Sequence, residues 1–439
     1  MRPSLPVSRS IVVALACVAL LFAASAIQAK GGSKSKRNPI IFVHGGSGSG
    51  AQFESQALRF ASNGYPQNHI RALQYDSSSI SDILPEVLDD LDALIAELQA
   101  ETGRDQVDLL GHSLGTFVSQ TYLSTPERAA HVAHYVNIDG ASADALPGGV
   151  PTLAIWAGAA PPIGEIVGAT NVTLEGQEHI EAATSEEAFA AMHEFFTGRR
   201  PFTTRIIPEI FPRISGEVNF FPSNEGIAGA QLDVWWVNGH TGERIGHRPW
   251  ASYTIGEDGS FGPFFGIYGL HYEFEVQREG EASVHFFYEP FRRSDHLVRL
   301  NIATGLTPFI ATSENHTSLT VVRNKEFCGD LGAESDVLEI DGTNVLNTVI
   351  ASCASVGSGS AAVFVFDAGL DATTDLTSVP FPFGLLAFLT AADVFLPTDP
   401  PGSIEVVVTP RGGGDSRTVH VPNLPSSDTR VVIQLNDFD

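Results

Sequence analysis

Cysteine is scarce in this chain, with three in 439 residues, and Cys17 lies in an apolar N-terminal stretch. That leaves Cys328 and Cys353, an even pair that reads as one bridge in an oxidising compartment and is worth about 3 to 4 kcal/mol in the chain-entropy model. Positive charge is scarce too: 25 Lys and Arg stand against 51 Asp and Glu, for a net charge of -26. So acidic a chain excludes polyanion binding, and no nucleic-acid partner is expected. Beyond the N-terminus no apolar run reaches membrane-spanning length; 383–392 comes nearest and Asp393 interrupts it, so no transmembrane segment is expected. Repeats and low-complexity tails are absent. The acidic stretch Asp330, Glu334, Asp336, Glu339 and Asp341 lacks calcium-loop spacing, and no metal or cofactor is expected.

The first residues read as processing signal. Arg2 and Arg9 precede an apolar run over 11–26, and Ala24, Ala26 and Ala29 offer cleavage sites. A secretory signal peptide over 1–29 and a flexible leader over 30–38 are expected, hence a secreted or periplasmic protein. Leu15 is misplaced for a lipid-modified Cys17, so a lipoprotein anchor is not expected.

Over 39–200 short apolar strands (40–43, 70–75, 107–110, 132–138, 153–156, 172–174) alternate with helical patterns at 52–61, 83–98 and 188–196. That alternation predicts a mostly parallel sheet with helices on both faces, with ligands at the carboxyl ends of its strands. After Arg200 the helical pattern nearly vanishes. Segments 234–237, 238–242, 272–276, 284–288, 363–366, 404–408 and 431–435 read as strands between turn residues. This predicts all-β sandwich or barrel domains over 205–302 and 303–439, joined near 301–307.

One pentapeptide carries the chemistry. Gly111-His112-Ser113-Leu114-Gly115 follows the strand at 107–110 and precedes a helix, the G-x-S-x-G setting that holds a serine hydroxyl clear of a sheet. A nucleophilic serine needs a base, an orienting acid and oxyanion donors. His179 follows the strand at 172–174 at its carboxyl end, whereas His131 and His134 lie at the wrong edge and His193 on the last helix. The loop after 153–156 carries no carboxylate, so Asp139, one strand earlier, is the expected acid, ahead of Glu165, Asp144 and Glu178. His44-Gly45-Gly46 follows the first strand, so the Gly46 and Leu114 amides are the expected oxyanion donors. The tract 45–50 lacks the Gly-Lys-Ser or Gly-Lys-Thr ending of a phosphate loop.

Residues 39–200 resemble the α/β-hydrolase superfamily. The resemblance narrows through His44-Gly45, Gln52-Phe53-Glu54-Ser55-Gln56, Arg59-Phe60-Ala61, Gly64-Tyr65-Pro66 and 111–117. Pro126-Glu127-Arg128-Ala129-Ala130, Val132-Ala133-His134 and Asp139-Gly140 extend it. In these the chain is similar to the two-domain archaeal lipases and carboxylesterases with a C-terminal β-barrel, weakly continued over 288–300. The resemblance implies nucleophile, acid and base at Ser113, Asp139 and His179, fatty-acyl ester hydrolysis, and a β domain that helps hold the acyl chain. The resembled lipases carry a long helical lid where this chain has only 76–82.

A Phe- and Leu-rich segment, 381–396, is therefore expected to come over from the β half, with Phe381, Phe383, Leu385, Phe388 and Leu389 at the acyl site or, equally, in a β core. The leading expectation is an exported serine carboxylesterase or lipase. Two alternatives are a polyester depolymerase holding polymer through Trp235, Trp236 or Trp250, and a non-catalytic surface binding protein on a hydrolase-like shell.

Overall fold

The computed structural model describes residues 37–159, 163–354, 359–436 and 438. The expected signal peptide, Cys17 and all but the last two residues of the leader lie outside them.

Strands β1 (Ile40–Val43), β2 (Ile70–Leu73), β3 (Val107–His112), β4 (Val132–Ile138), β5 (Thr152–Gly158) and β6 (Thr170–Glu175) form one wholly parallel sheet, in the order β2-β1-β3-β4-β5-β6. Between them run α1 (Glu54–Ser62), α2 (Ile80–Thr102), α3 (Leu114–Leu123) and α4 (Pro126–Ala129), and after β6 come α5 (Glu181–Thr184) and α6 (Glu186–Thr197). The strand alternation divides β1 between two cores. Ile40 and Phe42 pack with Phe60 of α1 and Phe189 and Met192 of α6, while Ile41 and Val43 pack with Leu91, Ile95 and Leu98 of α2 and Tyr122 of α3. Each fully buried side chain of this size contributes about 1.5–3 kcal/mol, so both faces need their helices. Helix α2 ends where Gly103 turns left-handed at φ 66, and no lid separates β2 from it, only a 3-10 turn at Ser77–Ser79.

Among the described residues no α-helix follows Thr197. The β half contains β7 (Arg213–Phe220), β8 (Gln231–Val237), β9 (Ala251–Thr254), β10 (Ser260–Phe265), β11 (His271–Gln277), β12 (Ser283–Tyr288) and β13 (Asp295–Ile302). It continues with β14 (Leu319–Phe327), β15 (Val337–Ile340), β16 (Thr343–Asn344), β17 (Ser360–Phe366), β18 (Leu389–Asp393), β19 (Ser403–Thr409), β20 (Arg417–Pro422) and β21 (Thr429–Gln434). Three sheets result: β10-β7-β13, β16-β15-β19-β20, and an eight-stranded β18-β17-β14-β21-β12-β11-β8-β9. The last strand of the chain, β21, lies between β14 and β12 and pairs parallel with both, so one sheet draws on residues either side of 303.

Segment 238–242, expected as a strand, is instead a turn: Gly242 N donates to Asn238 O at 2.8 Å and His240 N to Asn238 Oδ1 at 2.9 Å. Asn and Gly turn chemistry outweighs the short strand pattern there. Strand β7 was not expected because Gly216 breaks its alternation. A Cβ at Gly216 would sit 2.0 Å from Val298 O, so β13 can pair only against a glycine.

The β half seats on the carboxyl ends of the parallel sheet. Asn224 Nδ2 donates to Gly48 O (2.9 Å) and Tyr75 O (3.1 Å), and Asn324 Nδ2 to Ala51 O (2.9 Å). The Arg59 guanidinium, buried in α1, reaches Phe438 O at 3.2 Å.

Candidate functional site

Ser113 caps β3 with φ 52 and ψ -121, a left-handed backbone that costs a non-glycine residue on the order of 1–3 kcal/mol. The turn is held by Ser113 N donating to Ile138 O at 3.0 Å and is possible only because Gly111 and Gly115, two positions to either side, lack side chains. A Cβ on Gly115 would lie 2.2 Å from Val43 O, and one on Gly111 2.5 Å from Gly115 O.

Asp139 ends β4, with its amide on Ile155 O at 2.7 Å. Its Oδ1 accepts from Ala157 N at 2.9 Å and its Oδ2 faces His179 Nδ1 at 2.6 Å. Burial pushes this carboxyl up, but the His179 hydrogen bond and charge and the Ala157 amide outweigh burial and hold it below the usual carboxylate range. The ionised Asp139 accepts from Nδ1–H, which leaves Nε2 as the lone-pair nitrogen of His179. Glu165, Asp144 and Glu178 make no bond to this ring. His134 is paired elsewhere, with Asp108 at 2.8 Å, and His193 Nδ1 bonds Arg199 O at 3.0 Å.

Ser113, His179, Gly45 and Gly46 line one cavity of about 230 Å³. A Cβ on Gly45 would come 3.0 Å from Ser113 Cβ, so glycine lets the loop pass against the serine; one on Gly46 would be 4.0 Å from Leu114 Cδ2. The Gly46 amide takes no partner among the described residues, and Leu114, first in α3, has no intrahelical acceptor. The loop is braced from behind by His44, whose ring stacks on Tyr75 at 4.2 Å and whose carbonyl accepts from Tyr75 Oη at 2.6 Å.

The sequence reasoning missed the residues that hold these parts in register. Gly45 N donates to Gln52 Oε1 (3.4 Å), Gln52 Nε2 to His112 Nδ1 (2.6 Å), and His112 Nε2 to His179 O (3.0 Å). Burial, reinforced by the neighbouring His179, pushes the His112 pKa down to about 3, so this ring is neutral with one N–H, as the chain of bonds requires. The only sequence signal was a histidine at the variable position of the pentapeptide.

A second set comes from the β half. Glu326, fully buried, accepts from Ile180 N at 2.5 Å and Glu181 N at 3.1 Å, the two amides after His179. Lys325 Nζ pairs with Glu181 Oε1 at 2.6 Å and Arg411 with Glu181 Oε2. The Phe388 ring stacks on the His179 ring, centroids 5.9 Å apart. No local periodicity could have shown these contacts.

The segment 381–396 divides. Phe388 and Leu389 line the cavity, with Val322, Ala362 and Phe364 from the same sheet. Phe383 is buried against Phe364 and Phe366 in a satellite core, while Phe381 and Leu385 are 74% and 79% exposed. Trp236 stacks on Trp250 at 4.3 Å and Trp235 lies under Arg244; none of the three lines the cavity.

Cys328 and Cys353 are disulfide-bonded. They lie beside Glu178 at ligand distances, but a disulfide offers no thiolate to a metal. Asp336 is spent on Arg323 (2.9 Å), and Asp330 on Cys353 N (2.9 Å) and Ser352 Oγ (2.6 Å). Among the described residues no helix is long and apolar enough to cross a membrane.

Three family models match parts of the chain. The class 2 lipase family matches residues 37–127, the lipase C-terminal domain 212–304, and a further C-terminal domain family 305–439. Among solved structures, a predicted CIB-like hydrolase from Thermoplasma acidophilum is 19% identical, covering 38% of this chain and 90% of that one at a TM-score of 0.30. Phospholipase PlaB from Legionella pneumophila in complex with thio-NAD is 9% identical, covering 90% and 93% at a TM-score of 0.23. Likeness that loose carries nothing about chemistry. The lipase-family matches fall on a parallel sheet flanked by helices and then on an all-β half, the architecture of an α/β-hydrolase lipase with a C-terminal β domain.

Proposed function

We propose that this lipase-family hydrolase is an exported serine carboxylesterase acting on fatty-acyl esters. The observation that carries the reading is convergence: Ser113 and the Asp139-oriented His179 line one largely apolar cavity. Ser113 Oγ attacks the ester carbonyl carbon while His179 Nε2 takes the hydroxyl proton. The Gly46 and Leu114 amides hold the resulting oxyanion. Collapse of the tetrahedral intermediate expels the alcohol, which leaves with the proton from His179, and an acyl-enzyme remains on Ser113. Water, deprotonated by the same nitrogen, releases the carboxylic acid. Asp139 fixes the tautomer and stabilises the imidazolium without itself taking a proton. The disulfide supports an oxidising, secreted or periplasmic setting.

The test is the rate on para-nitrophenyl esters from acetate to palmitate, with a Ser113→Ala control and fluorophosphonate labelling. Loss of about 10⁶ in kcat on substitution, with labelling confined to the native serine, is expected. Undiminished turnover in Ser113→Ala would overturn the reading by placing the nucleophile elsewhere, and no turnover with no labelling of folded protein would overturn it in favour of a non-catalytic binding protein.

A further inference from the structure

The cavity does not stay apolar along its whole wall, because Arg430 lines it together with Thr320, Val432 and Val284. The strand register places that arginine. One row across the sheet runs Gln434, Val322, Ala362, Leu389, and Leu389 adjoins Phe388 on the His179 ring. Val284 lies opposite Arg430, four residues back along β21 from Gln434. At about 3.3 Å per residue along β21 and about 4.8 Å for each of the three strand steps back to Leu389, the separation is roughly 19 Å.

Arg430 has no ion pair among the described residues. Its Nη1 donates to the carbonyls of Ser426 and of Thr429 (2.8 Å), while its Nε is buried with no partner. Ser318 precedes β14 in step with Thr320 and Val322, and extending the register by one residue sets it opposite Arg430. Its hydroxyl is also buried and unpartnered. A buried donor without an acceptor is costly to leave unmet, and here two occur in the same row. An alkyl chain end would leave both unmet.

This inference rests on the esterase reading above. We propose that the cavity ends in a subsite for an oxygen acceptor at the far end of the acyl chain, with Arg430 and Ser318 as donors and a terminal carboxylate as the ligand they hold best. The substrate class is then the ester of an ω-oxygenated acid, such as a dicarboxylic half-ester, rather than of a plain fatty acid. In an extended chain roughly 19 Å corresponds to about fifteen carbons.

Three para-nitrophenyl esters on a chain of about fifteen carbons, ending in methyl, carboxylate or methyl ester, separate the possibilities. The ratio of kcat/KM for the carboxylate end over the methyl end is expected to be about tenfold or more in the native enzyme, and to fall to one or below in Arg430→Gln. Ser318→Ala lowers the same ratio by a smaller factor. Because each ratio is taken within one protein sample, partial unfolding does not distort it. A methyl-ester end equal to the carboxylate supports the same subsite, reading the next carbonyl of an oligoester. A native ratio of one, or one unmoved by Arg430→Gln, overturns the proposal. Calorimetric titration with the free dicarboxylic acid needs no turnover. Binding about tenfold weaker in Arg430→Gln without any ester hydrolysis would sink the esterase reading alone, and equal binding would sink this one.

Discussion

Glu178 stands next to His179 in sequence but takes no part in orienting its ring. Burial first, and the negative charge of Glu326 next, push its pKa up to about 7, with Arg411 opposing and Glu181 and Asp330 adding to the rise. The sign follows from linkage. A carboxyl whose folded pKa lies above its unfolded value of 4.5 favours the fold while protonated, and that contribution is lost as pH climbs towards about 7. Melting temperatures of the native protein and Glu178→Gln are therefore expected to agree near pH 5 and to diverge by pH 8, with the glutamine variant the more stable. A constant difference across that range would mean that Glu178 titrates as an ordinary carboxylate.

At the scale of elements, the loop between β6 and α5 is a short connection that has to aim His179. Strand β14 supplies the aim through the two amide bonds to Glu326. Glu326 acts through the loop and touches no reacting atom, so it is a positioning residue. Glu326→Ala removes both acceptors, and kcat is expected to fall about tenfold per lost bond, with KM little changed. Glu326→Gln keeps one acceptor and should recover part of the loss. If Glu326→Ala lowers the melting temperature but leaves kcat per folded molecule intact, the carboxylate is merely structural. Helix α3 has the opposite character: its placement needs only Gly111 and Gly115, both inside the pentapeptide, which is why that element was legible from sequence.

Across the whole molecule, the disulfide closes a 25-residue separation immediately after Phe327, so it braces the end of the strand that carries Lys325 and Glu326. Arg411 joins the same corner, with Nη1 2.8 Å from Cys328 Sγ and Nη2 on Glu181. Reduction, or Cys328→Ser with Cys353→Ser, is expected to cost about 3 to 4 kcal/mol of stability and to lower kcat with it. A fall in melting temperature with unchanged kcat below the transition would show that the brace does not reach His179.

The primary sequence by itself determined the parallel α/β half, the order of its strands along the chain, the serine turn, and the strand ends at which Asp139 and His179 stand. Those features rest on period and on local steric demand, which are written in neighbouring residues. Only the tertiary structure decided what surrounds them. The insertion of β21 between β14 and β12, the Glu326 amide bonds, the Phe388 stack and the arginine lining the cavity join residues tens to hundreds of positions apart. The same alternation that marks each β strand leaves its partner unspecified, because pairing is settled by which faces can be buried together, not by any one segment.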